Sequence, residues 1–292
     1  MKRIRIPRLV DVLISDDPGE IEALAQKPEL DREYANSSLA VNRYVLRHLR
    51  KTLQIDGRLF PTITAREDQG RAAAQETLWA RLNALATSLS EGPNELEGIA
   101  AFVRGEGAAD ACGPLVQQVV GCLFVPDFKA TPESWAAAVM LDKAVRTMNP
   151  ALLAWWSATK RVDRAKRLLS EMVRGDLAGV HAVGIALHNI VSGVSLMRDM
   201  FSDPEQRAAL SPEAASAKCL FAPSMVLRQP TQECPFANDR LMPATLVLLK
   251  LQTANKKSPD QNTVFLRETW SRCPAGQWVP ALLEGVWRRT GH

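Results

Sequence analysis

No two of the five cysteines, Cys112, Cys122, Cys219, Cys234 and Cys273, form a Cys-x-x-Cys pair. A zinc knuckle is therefore excluded, and the odd count argues against a disulfide framework. A reducing, cytoplasmic location is expected. Charge of one sign is equally scarce. Against 32 Asp and Glu stand 36 Lys and Arg, a net charge of +4 over 292 residues. The basic residues are spread along the chain, which predicts neither a nucleic-acid stripe nor a polybasic membrane patch. No apolar run approaches the roughly 20 residues that cross a bilayer. The N-terminal run Leu9 to Ile14 is short, is broken by Asp11 and has no small-residue cleavage site after it, so no secretory signal is expected. Internal repeats and low-complexity segments are missing as well. The Gly105 to Asp110 stretch follows no convincing strand and lacks the third glycine of a dinucleotide-binding loop.

What the chain does have is an apolar fraction of 46%, ordinary for a globular protein and enough for a substantial core. The pattern predicts a mainly α protein with a small β-sheet, α+β, in a single domain spanning 1–292: helical over 1–210, mixed strand and loop over 211–292. Arg8 to Ile14 alternates as a short strand. Helical spacing follows over 20–26, 34–51 and 66–89, the last with Ala74, Leu78, Leu82, Leu85 and Leu89 as a core stripe that Gly92 and Pro93 end. Further helices are expected over 95–104, 113–124 and 134–148, with Thr131-Pro-Glu-Ser134 supplying caps to the last. Lys160 to Arg174 reads as a helix with a solvated basic face. Beyond Ser211 prolines break long helices, and Met225 to Arg228 and Leu246 to Leu251 read as strands.

Two stretches carry candidate chemistry. Asp176 to Phe201 is the longest helical candidate, apolar except for His181, Gly184, His188, Asn189, Ser192, Gly193 and Ser195. Such a helix either faces a ligand at its middle, or uses satisfied histidines and close-packing glycines in a core. The second stretch runs from Trp270 to Trp287. Cys273 is followed by Pro274 and Gly276 and then an apolar run, so the thiol stands on a turn entering a helix. Unpaired amides and the helix dipole there favour a thiolate. If Pro280 is instead the first helical residue, Cys273 lies nearly two turns early. The plain alternative is a small buried thiol.

Taken in order, the C-terminal third resembles the cytochrome P-450 superfamily of haem-thiolate oxygenases. Pro223 to Arg228 resembles the segment in which a proline is followed five residues later by an arginine on a haem propionate. Leu241-Met-Pro-Ala-Thr-Leu-Val and Ala254-Asn255 resemble the strand and the following dipeptide of the family. Arg272-Cys273-Pro274, with Trp278 and Ala281 to Glu284, resembles the cysteine-ligand loop and its helix. The nearest echo is the bacterial fatty-acid peroxygenase branch. Earlier similarity is weaker: Arg66 to Arg81 resembles the helix that supplies a propionate-binding arginine, and Asp176 to Phe201 the helix over the distal haem face. The chain departs from the pattern in lacking a Glu-x-x-Arg before Pro223, in reading Phe265-Leu-Arg-Glu-Thr-Trp where a phenylalanine-glycine signature belongs, and in lacking an acid–alcohol pair on the distal helix.

The resemblance implies a shortened P-450-like fold holding haem b, with Cys273 as the iron ligand. The resemblance implies that Arg228, with Arg66 or Arg71, pairs the propionates, that Trp270 and Arg272 also bind the cofactor, and that His188, Asn189 and Ser192 serve catalysis on the distal side. The implied function is peroxide-dependent oxygenation or rearrangement of an apolar small molecule, with a protein partner in addition. The alternative is a haem-free, non-catalytic relative kept as a partner or scaffold.

Overall fold

The computed structural model describes residues 1–32, 34–91, 95–108, 110–237 and 239–291, without the side chains at 69, 74, 83–91, 95 and 277. In chain order the elements are β1 (Lys2–Ile6), β2 (Val10–Ser15), α1 (Pro18–Gln26), β3 (Leu30–Asp31), α2 (Ala40–Thr52), β4 (Gln54–Ile55), β5 (Arg58–Leu59), α3 (Gln69–Glu91), α4 (Glu95–Val103), α5 (Cys112–Cys122), α6 (Pro132–Arg146), α7 (Pro150–Ala158) and α8 (Arg161–Met172). There follow α9 (Leu177–His181), α10 (Leu187–Ser202), α11 (Pro204–Ala209), α12 (Pro212–Lys218), β6 (Val226–Pro230), β7 (Cys234–Phe236), β8 (Asp239–Leu241), β9 (Leu246–Leu249), α13 (Leu251–Lys257), α14 (Gln261–Phe265) and α15 (Ala275–Arg289). The mainly helical, α+β expectation holds. Helix starts follow the capping rules: Asp17, Thr131, Asn149, Asp176, Asp203 and Ser211 each accept first-turn amides, five of them with proline next. Thr131 and Ser134 close a full capping box.

The chain forms two compact units. One contains residues 1–76 and 222–273. Its sheet has the order β1-β2-β9-β6-β3, with β2 and β9 parallel and the other pairs antiparallel. The strands thus come from both ends of the sequence. Leu13, Val247 and Leu249 on one face are fully buried. Asp11 is buried on the same strand face and accepts from Arg3 Nε at 2.9 Å and Thr245 Oγ1 at 2.8 Å. The Asn42 amide on α2 donates to the carbonyls of Asp11 and Ala244 at 2.8 and 2.7 Å, tying α2 to the sheet edge. The expected helix over 34–51 begins only at Ala40, because Ser37 Oγ takes the Leu39 amide and gives its own proton to the Ala244 carbonyl. The apolar run 246–251 divides into β9 and the start of α13, a break that apolar run length does not signal.

The other unit contains residues 77–221 and 274–292. A continuous helical stretch runs through it: α9, a π-helical turn over Ala182–Ala186, then α10. Val180, Val183, Leu187, Val194 and Met197 on this stretch are all fully buried. Leu177–Ser202 is long and apolar enough to cross a bilayer by length and composition, with mean hydropathy 1.5. Counting uninterrupted apolar residues misses it, since His188, Ser192 and the glycines interrupt the run. A β-carbon on Gly193 would overlap the carbonyl oxygen of Cys219, and one on Gly184 would stand 2.9 Å from Leu141. These glycines serve close packing. Of the core stripe expected on α3, Leu82 is buried; the side chains of Ala74, Leu85 and Leu89, and residues Gly92 and Pro93, lie outside the described residues.

Candidate functional site

Cys273 closes a loop that begins at the end of α14. Leu266, the residue after Phe265, turns the chain through a left-handed conformation, φ 49°. Thr269 then organises the turn: its amide and its hydroxyl both donate to the Leu266 carbonyl, and its hydroxyl accepts the Ser271 amide at 3.3 Å. The Cys273 amide donates back to the Phe265 carbonyl at 2.7 Å. A side chain and one strained residue thus do the work that glycines do in a looser loop. Cys273 is exposed. The chain enters α15 two residues later, with Pro274 as N-cap and Pro280 inside the helix. Pro280 is therefore not the helix start, and Cys273 stands beside the first turn.

Three residues upstream, Trp270 is surrounded by guanidinium groups. The Arg71 Cζ lies 4.3 Å from the ring centroid, Arg32 at 5.1 Å and Arg228 at 5.9 Å. Arg228 extends from β6, is 3% exposed, and donates to Ser271 Oγ and the Leu227 carbonyl, both at 2.8 Å. Tyr34, also buried, donates to that carbonyl at 3.4 Å. Among the described residues, none of the three guanidiniums lies within ion-pair distance of a carboxylate. Asp31, the acidic neighbour, spends its oxygens on the backbone amides of Arg32 and Arg66. The Nε of Arg32, the Nε of Arg228 and the indole nitrogen of Trp270 are buried without a hydrogen-bond partner.

Electrostatics express the same imbalance. Burial, then the charges of Arg228 and Arg71, bring Arg32 down to about 9. Burial brings Arg228 down to about 10, and Arg71 is lowered by burial as well. All three remain protonated at neutral pH. Arg228, buried, and Arg32 and Arg71, half-buried, none of them ion-paired and two with idle Nε groups, could together accept an anion with carboxylate-like oxygens.

Structural comparison gives this arrangement its context. A cytochrome P450 from Thermus thermophilus matches over 99% of the chain and 85% of its own, with a TM-score of 0.62 and 18% identity. P450 RauA, complexed with a biosynthetic intermediate of aurachin RE, matches over 95% of the chain and 82% of its own, at 0.63 and 14%. The chain has the cytochrome P450 fold. P450BioI, in complex with an acyl carrier protein ligated to hexadec-9Z-enoic acid, matches over 95% of the chain and 83% of its own, at 0.56 and 15%. No protein-family model matches the sequence, and no curated protein matches it.

On this P450 fold the residues singled out in sequence sort into groups. Arg71, Arg228 and Trp270 come together, with Cys273 close along the chain. Arg66 stays out of the cluster: its side chain is exposed, 4.0 Å from Glu67, while its amide holds Asp31. Arg272 is exposed, and its amide donates to Thr269. Two members of the cluster carry no signal in sequence: Arg32 follows a short edge strand in no recognisable motif, and Ser271 is identified only by the bond it accepts. His188, Asn189 and Ser192 lie on α10 in the other unit. The His188 ring stacks on Trp135, 5.2 Å between centroids, with Nε2 3.2 Å from the Ala138 carbonyl. Burial lowers its pKa, so the neutral ring donates from Nε2. Ser192 donates to the His188 carbonyl at 3.0 Å.

Proposed function

We propose that this chain is a haem-thiolate protein of P450 type, binding haem b through Cys273 and a three-arginine receptor. The observation that carries the reading is the cluster of Arg32, Arg71 and Arg228 around Trp270, with idle Nε groups on Arg32 and Arg228 and no ion-paired carboxylate among the described residues, on the same unit as an exposed cysteine. Two propionates supply the oxygens those donors lack. Arg228, fixed by Ser271 and Leu227, orients one carboxylate; Arg71 and Arg32, stacked on Trp270, are left for the other. The Cys273–Phe265 backbone hydrogen bond fixes the loop that carries the sulfur. Haem bound through a thiolate supplies oxygen activation, the thiolate's electron donation favouring O–O cleavage. The chain's own part would be to hold the group and to offer a hydrogen bond to what the group binds.

For that last task His188 and Ser192 are committed to backbone carbonyls, and Asn189, half-buried on α10, is the residue we assign. Without an acid–alcohol pair, peroxide as oxidant and an apolar small molecule as substrate suit the chain better than a reductase-fed cycle. A second reading, a haem-free scaffold, is favoured by that same commitment of His188 and Ser192. The visible spectrum of the purified protein separates the two. A Soret band whose carbon-monoxide difference peak is lost in Cys273→Ser supports the first; colourless protein after expression with added haem supports the second.

A further inference from the structure

Six large apolar side chains that project into solvent belong to the first 44 residues: Met1, Ile4, Ile6, Leu9, Val41 and Tyr44, each 38–49% exposed. The fold gathers them. Ile4 pairs with Val12 and Ile6 with Val10 across the β1–β2 hairpin, so these four share one face of the sheet's edge. The hairpin turn, where the Leu9 amide donates to Ile6, abuts the start of α2: the Ala40 amide donates to the Arg8 carbonyl at 3.3 Å and the Val41 amide to the Leu9 carbonyl at 2.9 Å. One turn along α2, Tyr44 continues the exposed stripe.

Cations ring this patch. Lys2, Arg8 and Arg47 are exposed and Arg43 half-exposed, and among the described residues none of the four pairs with a carboxylate; Arg5, across from Asp11, lies on the other face of β1. The sequence holds no Asp or Glu over 1–10 or over 34–55. The charge looks dispersed along the chain because its two halves lie some thirty residues apart.

We infer that the β1–β2 turn and the exposed face of α2 form a peripheral docking surface for an anionic lipid bilayer. Exposed aliphatic side chains on the hairpin, one tyrosine beside them and a rim of arginines not ion-paired among the described residues match a surface whose interior is hydrocarbon and whose face is negative. Edge-to-edge pairing with a second copy is opposed by β1 itself, which would set its uncompensated cations Lys2 and Arg5 against those of the other copy, Arg3 being paired with Asp11 and Asp239.

The test is co-sedimentation of the full chain with phosphatidylcholine vesicles and with equimolar phosphatidylcholine and phosphatidylserine vesicles, at low and high salt. Binding is expected to the anionic vesicles only, and to weaken with salt. Arg8→Glu and Arg47→Glu should each reduce it at least about fivefold, Ile6→Ser with Leu9→Ser should reduce it further, and Arg167→Glu on α8 should leave it unchanged. Circular dichroism of each variant confirms that the fold is intact. Equal binding to neutral vesicles, equal loss in Arg167→Glu, or retention on immobilised polyglutamate without vesicle binding would each overturn the inference.

Discussion

Replacing Arg228 with methionine separates a site built for a ligand from one built for stability. In the protein without haem, Arg228 makes two hydrogen bonds, but neither acceptor depends on it. Ser271 Oγ retains Thr269 Oγ1 at 3.1 Å, and the Leu227 carbonyl retains Tyr34 at 3.4 Å. Its Nε has no partner to lose. Its charge lies among those of Arg32 and Arg71, and burial opposes all three. A buried charge exchanged for a hydrocarbon chain of similar length is commonly neutral or stabilising. The expected change in stability is therefore within about 1 kcal/mol of zero, a shift in Tm of less than about 4 °C for a chain of this size.

Ligand binding should respond very differently. A charge-assisted pair to a buried carboxylate contributes on the order of 3 kcal/mol when one partner is deleted, close to two orders of magnitude in Kd. Haemin titration followed at the Soret band, beside thermal melting of the haem-free variant, measures both quantities. Arg228→Met should melt like the parent and bind haemin about a hundredfold more weakly. A variant that melts far lower yet binds haemin as tightly would show that Arg228 braces β6 against the cysteine loop, and the receptor argument would fail.

Four further outcomes follow from the same structure. Gly193→Ala should destabilise by about 1–3 kcal/mol in a denaturant melt despite alanine's better helix propensity, since its β-carbon meets a backbone carbonyl that cannot rotate away. His188 is held neutral by burial, its pKa below the ordinary 6.5. The unfolded chain thus binds the extra proton first, and stability present above pH 6.5 is lost as pH falls; His188→Gln should flatten that part of the pH–stability curve. Asp11, whose pKa is held down by Arg3 and Thr245 against the opposing effect of burial, contributes stability above the ordinary carboxylate range that disappears on acidification. Asp11→Asn should remove that dependence and cost about 3 kcal/mol at pH 7 by equilibrium unfolding. Leu266→Gly should lower stability by about 1–4 kcal/mol in a thermal melt, the lost buried side chain outweighing the relieved backbone.

The sequence revealed the helices better than the site. Long helices with caps and periodic apolar positions, such as α6 with its Thr131 box, could be read directly because every signal for them is local; on α8 the expected solvated basic face holds at Arg161, Arg164 and Arg167, while Lys166 is buried and paired with Asp163. The edge strand β1 and helices α13 and α14 could not be read so: Lys-Arg-Ile-Arg-Ile has few core positions of its own and becomes a strand by pairing with β2. The site behaved likewise. Cys273 was legible from the proline and glycine that follow it and Arg228 only through the resemblance of Pro223 to Arg228 to a family segment, while Arg32 joins them only because β3 pairs with β6, register Asp31 to Gln229, a contact across almost two hundred residues.

The loop before Cys273 shows why sequence similarity fades before the fold does. Leu266 stands where the resembled pattern carries glycine, and it still adopts the left-handed conformation that glycine provides, φ 49°. The strain on a residue with a β-carbon is about 1–2 kcal/mol. Leu266 is 7% exposed, and burying a leucine contributes about as much or more. Thr269 supplies the hydrogen bonds that a glycine turn would take from its backbone. The signature residue is gone and the conformation it served persists, held by packing. The same exchange repeated at many positions would leave the course of the backbone intact while erasing what a sequence comparison reads.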